Sequence, residues 1–291
     1  MIPFVKEMSF AYGVPDQVSP LIRRVVANNP GPFTYLGTGT YIVGSGEVAV
    51  IDPGPDDEAH LAAILQACAG ETITAILITH THIDHSPLAR PLAARTGAVI
   101  FGRADPKAGS AEEDSEADFR PDVEVTDGQV ITGADWTMTA IATPGHASNH
   151  VCYLLAEENA LFSGDHIMGW STTVVSPPDG DMGAYYASLD KVEALDAQTL
   201  WPTHGPPVRE VKPFIAAYRA HRLERERQIL AELAKGPRTI AEIVPALYAA
   251  VDPRLHPAAA RSVFAHLKHL ATQGAVRTDG PPGPLGVYRI S

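Results

Sequence analysis

The chain has 291 residues, 45% of them apolar, and a formal net charge of −12, enough to bury a sizeable core in one large domain or in a large one plus a small one. Two distant cysteines, Cys68 and Cys152, argue against a disulfide scaffold and fit a reducing cytoplasm as two buried, small apolar residues. No secretory signal pattern and no run approaching roughly 20 apolar residues is visible, so a cytoplasmic chain with no membrane partner is expected.

Tyr41 to Gly54 reads as a strand, a Gly-Ser-Gly turn and a second strand ending in Asp52-Pro53-Gly54. Asp56 to Gly70 reads as a helix, with acids in its first turn and a glycine at its end. Thr74 to Thr79 is a short apolar run suited to a buried strand. A helix over Ser86 to Gly97 follows, with Pro87 tolerated in its first turn, and then a strand over Ala98 to Gly102. Strand, helix and strand with short connections mark an α/β fold. The acid-rich stretch from Arg103 to Asp122 breaks the pattern and reads as a solvated surface loop, a lid being the less favoured reading. Strands resume over Val123–Val125, Gln129–Ile131, Thr137–Thr143, His150–Leu155 and Leu161–Asp165.

The remainder looks helical. A long helix is expected over Pro213 to Lys235, closed by Gly236-Pro237. Thr239 and Glu242 have capping-box spacing at the head of a helix running to Val251. Pro257 to Gly274 forms another helix, and Ala275 to Ile290 holds two β-like runs around a Gly/Pro-rich turn. Three helices and a two-stranded wing outline a winged helix. We therefore expect a larger α/β unit over 1–210 and a helical linker plus winged helix over 211–291. Charge follows the same division: acids outnumber bases 27 to 9 from Met1 to Pro206, whereas bases outnumber acids 13 to 7 beyond it. The first segment repels a polyanion unless bound cations offset it locally, and the second attracts one mildly.

The chemistry gathers at Thr79-His80-Thr81-His82-Ile83-Asp84-His85-Ser86, beyond the carboxyl end of a strand, where α/β sheets collect ligands. Imidazole and carboxylate are the protein ligands for zinc where cysteine is absent. His80 and His82 share one side of an extended segment, while Asp84 and His85 lie where the chain turns and can face a second point. One motif can thus begin two metal sites. His146 (in Pro144-Gly145-His146), Asp165 (in Gly164-Asp165) and His204 (in His204-Gly205) each stand at a strand-to-loop junction flanked by Gly or Pro.

These motifs, with Ile51-Asp52-Pro53-Gly54 before them, resemble in order and spacing those of the metallo-β-lactamase superfamily, over nearly all of Thr34 to Pro206. The resemblance implies an αβ/βα sandwich carrying two metal ions. His80, His82 and His146 would bind the first, Asp84, His85 and His204 the second, and Asp165 would bridge them. Asp52 would be a structural acid. Asp165 stands where the well-known antibiotic-hydrolysing members carry cysteine, and His82 where the diiron members carry glutamate. Both point to the dinuclear hydrolase branches, with two Zn2+ as cofactor and iron or manganese as substitutes.

The likeness extends through Gly164 to Val174, Tyr185 to Leu189 and the winged helix, and there it resembles the beta-lactamase-like protein 2 branch. That branch implies either single-strand endoribonuclease chemistry or hydrolysis of an acyl thioester, ester or lactone. Asp84 and His150 are the candidate catalytic residues, His150 either as a contact to a ligand side chain or to substrate in the cleft or as a packed strand histidine. Thr172 and Thr173 are candidate substrate contacts, and His166 is expected to be structural. The sequence departs from the family at Ser86-Pro87-Leu88, where a small residue and Gly-Gly are usual. The winged helix is expected to pack beside the cleft or mediate a homodimer, with a DNA-binding regulator as the third reading of the whole chain.

Overall fold

The computed structural model describes residues 1–104, 118–249 and 252–291. Most of the acidic stretch singled out above (105–117) lies outside the described residues, as do the last two positions of the helix expected to reach Val251.

Seven strands lie side by side in chain order. They are β1 (Asp16–Gln17), β2 (Ile22–Val26), β3 (Gly39–Val43), β4 (Glu47–Ile51), β5 (Thr72–Leu77), β6 (Val99–Gly102) and β7 (Val123–Glu124). The first four pair antiparallel, and β4 to β7 pair parallel. The parallel pairs need crossovers, and α1 (Glu58–Ala67) and α2 (Ala89–Thr96) supply two of them. Asp57 caps α1 by accepting from the Ala59 amide at 2.9 Å. A second sheet holds β8 (Val130–Thr132), β9 (Thr137–Ala142), β10 (Val151–Leu155), β11 (Ala160–Gly164) and β12 (Thr199–Pro202), in the order β12-β11-β10-β9-β8. Only β11 and β12 run parallel there, joined by α3 (Met182–Ala194).

Strand alternation builds the layers. Tyr41, Ala49, Ile51, Leu77, Tyr153, Phe162 and Trp201 face into the core between the sheets. Their neighbours Ile42, Val48, Val50 and Ile76 face the opposite side and pack on α1 and α2 through Leu61, Ile64 and Leu92. Cys152, Leu161 and Leu200 face outward from the second sheet onto Tyr185 and Leu189 of α3. The result is helix, sheet, sheet, helix, the expected αβ/βα sandwich.

The C-terminal part holds α4 (Val211–Leu233), β13 (Arg238–Thr239), α5 (Ile240–Leu247), α6 (His256–Thr272), β14 (Val276–Thr278) and β15 (Val287–Ile290). Glu242 accepts from the Thr239 amide at 2.8 Å, completing the cap on α5. The wing has three strands rather than two, because β13 pairs with β15. Helix α4 belongs to two cores. Phe214, Ile215 and Tyr218 pack with α3 and the second sheet, whereas Ile229 and Leu233 pack with Ile240, Val263, Leu267 and Tyr288 of the winged helix. Among the described residues no helix is long and apolar enough to cross a membrane.

Candidate metal centre

The site lies across the carboxyl ends of strands from both sheets. His80, His82, Asp84 and His85 follow β5, His146 sits in the turn between β9 and β10, Asp165 follows β11, and His204 follows β12. All seven side chains expected as ligands come together. His82 Nδ1 lies 2.8 Å from His80 Nε2 and 3.1 Å from His146 Nε2. His204 Nε2 lies 3.0 Å and His85 Nε2 3.5 Å from Asp84 Oδ2. Asp165 stands between the two groups. Its Oδ1 is 3.5 Å from His204 Nε2 and 3.7 Å from His85 Nε2, and its Oδ2 is 3.7 Å from His146 Nε2. His80, His85 and His204 are buried, while His82, Asp84 and His146 are half-buried and Ile83 is exposed, so the site opens on that side.

Hydrogen bonds behind the rings of His80, His85, His146 and His204 engage Nδ1 and leave Nε2 toward the site. The His146 Nδ1–H donates to the Val174 carbonyl at 2.6 Å, and the His204 Nδ1–H to the Gly37 carbonyl at 3.3 Å. Asp52 is buried and acts twice. Its Oδ2 takes the His85 Nδ1–H at 2.8 Å and the Thr79 hydroxyl at 2.7 Å. With its proton committed there, the Thr79 oxygen accepts from His80 Nδ1–H at 3.0 Å. Thr79 N–H and the Thr203 hydroxyl also donate to Asp52, at 2.8 and 3.0 Å. Nε2 of those four rings, and Nδ1 of His82, therefore face the centre of the site.

Protonation differs between the two groups. Burial, then the neighbouring imidazoles, pushes His80 well below the usual imidazole value, and burial, then His146, pushes His82 down to about 3. Burial also acts against charge on His85 and His204, but the carboxylates outweigh it. Asp84, Asp52 and Asp165 raise His85 to about 10, and Asp165 and Asp84 raise His204. Burial raises the Asp84 carboxyl, yet His85 and His204 together hold it far below the usual carboxylate range.

The residues fit a pair of divalent cations. Among the described residues the buried His85 Nε2 and Asp165 Oδ1 have no hydrogen-bond partner, although buried polar atoms nearly always have one. Three imidazole nitrogens converge at 2.8 and 3.1 Å, where a single proton could serve one pair at most and one cation satisfies all three. A second cation would displace the protons that now neutralise Asp84 and Asp165.

His150 does not line the opening. It is fully buried, its Nε2 accepts the Asp165 amide at 3.1 Å, and its Nδ1–H faces the Thr143 hydroxyl at 2.8 Å. Close approach is possible because Gly164 has φ +50°, and a Cβ there would sit 2.6 Å from His150 Nε2. Thr173 is likewise turned inward, donating to the Asp165 and His166 carbonyls, both at 2.9 Å, while Thr172 remains half-buried. His166 is buried against Tyr185, as expected of a structural residue. At the departure Ser86-Pro87-Leu88, Leu88 is buried in the core under α1 and α2. Sequence reasoning missed Thr79 and Thr203, although each immediately precedes a candidate ligand histidine and the pair Thr-His repeats at 79–80, 81–82 and 203–204.

A four-layer sandwich with histidines and aspartates converging at its strand ends defines the metallo-β-lactamase type of hydrolase fold. The superfamily model, metallo-beta-lactamase superfamily, matches residues 35–204, and the chain belongs to that superfamily. A second model, the beta-lactamase associated winged helix domain, matches residues 239–281. The chain is 36% identical over 251 residues to an atrochrysone carboxyl ACP thioesterase of Aspergillus chevalieri, covering 82% of this chain and 77% of that protein. It is 32% identical over 266 residues to a beta-lactamase-like protein 2 homolog of Caenorhabditis elegans, covering 90% and 88%. Among solved structures, a metallo-beta-lactamase family protein of Thermus thermophilus matches with TM-score 0.76 at 25% identity, over 94% of this chain and all of that one. A beta-lactamase domain protein of Burkholderia ambifaria shares the fold at TM-score 0.82 and 21% identity, over 100% and 97%.

Proposed function

We propose that the chain is a dinuclear metallohydrolase that cleaves acyl thioesters, with an acyl group carried on a protein or a smaller thiol as substrate. The position of Asp165 carries the dinuclear part of the reading, since its two oxygens are divided between the histidine groups. The substrate class is supported by the thioesterase names of relatives at 36% and 33% identity. The excess of acids from Met1 to Pro206 weighs against single-stranded RNA approaching the same opening. Zinc suits the histidine and carboxylate donors, and iron or manganese can occupy the same set. The two cysteines are free and buried, in keeping with a reducing compartment.

His80, His82 and His146 would hold one ion, Asp84, His85 and His204 the other, with Asp165 between them. Two such ions supply a water of lowered pKa and a Lewis acid for the developing oxyanion. Asp84, half-exposed at the mouth, can orient that water and accept its proton. His150 and Thr173 work from behind by fixing the main chain at Asp165, so His150 is assigned as a positioning residue rather than a substrate contact.

The test is hydrolysis by the metal-loaded chain of an acyl-carrier thioester panel and of single-stranded RNA, with His82→Ala and Asp165→Ala as controls. Thioester turnover lost in both variants is expected. RNA cleavage without thioester turnover would reassign the core to phosphodiesters, and full activity in both variants would refute the metal mechanism.

A further inference from the structure

We propose that Arg222, on the helix joining the two parts of the chain, is a positioning residue for the metal centre, acting on His146 through the Thr173–Val174 peptide. This rests on the metal reading above. The segment from Asp165 to Val174 begins with the ligand between the two histidine groups and ends with the carbonyl that receives the His146 Nδ1–H at 2.6 Å. That carbonyl fixes the ring of His146 and leaves Nε2 as its free nitrogen.

Helix α4 grips the segment twice, from side chains one turn apart. The Tyr218 hydroxyl lies between the carbonyls of Met168 and Ser171 and accepts from the Met168 amide at 3.3 Å. Arg222 donates through one terminal nitrogen to the Thr173 carbonyl. Holding that oxygen fixes the plane of the peptide joining Thr173 to Val174, and the next carbonyl along is the one on His146.

The Arg222 side chain is only 3% exposed, and its Nε has no hydrogen-bond partner. Among the described residues no carboxylate forms an ion pair with it, and its guanidinium lies 5.3 Å from the centre of the Tyr185 ring. A buried guanidinium in such surroundings is costly, and an apolar side chain of similar length would fill the space more cheaply. What arginine adds is a cation beside the Tyr185 ring and the donor to Thr173, and only the second reaches the loop that carries the His146 partner. One turn further along α4, Glu226 accepts from Tyr186 of α3 at 3.1 Å and faces His266 Nδ1 of α6 at 3.2 Å. The same face of α4 thus holds the winged helix and the metal-site loop in one register.

Such supporting partners typically change metal affinity by about 10–100-fold when removed. Zinc affinity of the full-length chain would be measured by chelator competition, with stoichiometry by elemental analysis, for the native chain, Arg222→Met, Arg222→Lys and Tyr218→Phe. Arg219→Ala, a surface residue paired with Asp190 and Glu193 on the same helix, serves as control. Arg222→Met is expected to weaken one of two bound ions by about tenfold or more. Arg222→Lys and Tyr218→Phe should weaken the same ion less, and Arg219→Ala should not. The His146 Nδ1–H resonance in the zinc-loaded protein should shift or broaden in Arg222→Met, which a merely destabilised fold would not single out. Should Arg222→Met fail to fold, the two milder variants decide. Unchanged affinity for both ions in folded Arg222 and Tyr218 variants would overturn the proposal. A native chain that binds no metal would overturn the metal reading itself.

Discussion

The two halves of the centre use the same residue type under opposite electrostatics. His80, His82 and His146 face one another, with Asp165 3.7 Å from His146, and burial holds His80 and His82 neutral. His85 and His204 are just as buried, yet Asp84 and Asp165 hold them toward the charged form. In the first half a cation finds lone pairs already aimed, so affinity depends on the hydrogen bonds that fix each ring. In the second it must replace protons that balance two carboxylates, so affinity depends on charge. Identity of ligand is therefore a poor guide to how a site is tuned, and the residues behind the rings matter more.

Four experiments would break or sharpen this contrast. Asp165→Ala touches both halves, so it should release both ions and lower kcat/KM by on the order of a thousandfold or more, measured by elemental analysis and steady-state kinetics. His82→Ala and Asp84→Asn should each affect mainly their own half. His82→Ala should leave one ion bound, and Asp84→Asn should weaken the other by about 10–100-fold; loss of the same ion in both variants would dissolve the distinction. His150→Leu strands the Asp165 amide and should cost about 1–3 kcal/mol in denaturant unfolding of the metal-free chain.

The smallest effect lies outside the centre. Burial, opposed only by Asp57, lowers His60 to about 4, following the rule of the first half. A histidine depressed in the fold takes its proton first in the unfolded chain. His60 thus leaves stability untouched above pH ~6.5 and erodes it as pH falls toward ~4, by at most about 3 kcal/mol. His60→Gln, whose amide can still donate to Thr40, should flatten that part of the pH–stability curve. An unchanged curve would show that His60 is not the group responsible.

Much of this was legible in the sequence, and the exceptions have physical reasons. A histidine or aspartate between a β-run and a Gly or Pro can be read directly, because strand ends aim side chains at one edge. Strand β2 escaped because Arg23 and Arg24 interrupt its apolar run; the structure buries Arg24 against Asp16 at 3.2 Å and pairs the half-buried Arg23 with Glu71 at 2.7 Å. Helix α3 escaped as an element although most of its residues favour helix, because its alanines and Tyr186 fall outside its buried side and blur the apolar stripe that Tyr185 and Leu189 bury. The orienting groups on His146 and His204 are main-chain carbonyls of Val174 and Gly37, which any residue type could supply. The reading of His150 turned on which way a strand-end side chain points, and Gly164 settles that by letting the ring pass behind Asp165.

Helix α4 also bears on how this architecture could be taken apart or recombined. A gene fragment ending at Pro206 would keep every proposed ligand, but it would strip Phe214, Ile215 and Tyr218 from the face of the second sheet and α3 and expose the apolar surface they cover. Grafting a foreign C-terminal module would have to supply those three side chains as well as a fold. For a domain-shuffling experiment the winged helix is therefore no independent cassette at residue 210, and Ala265 and Lys268 of α6, which touch the sandwich, would have to be matched as well.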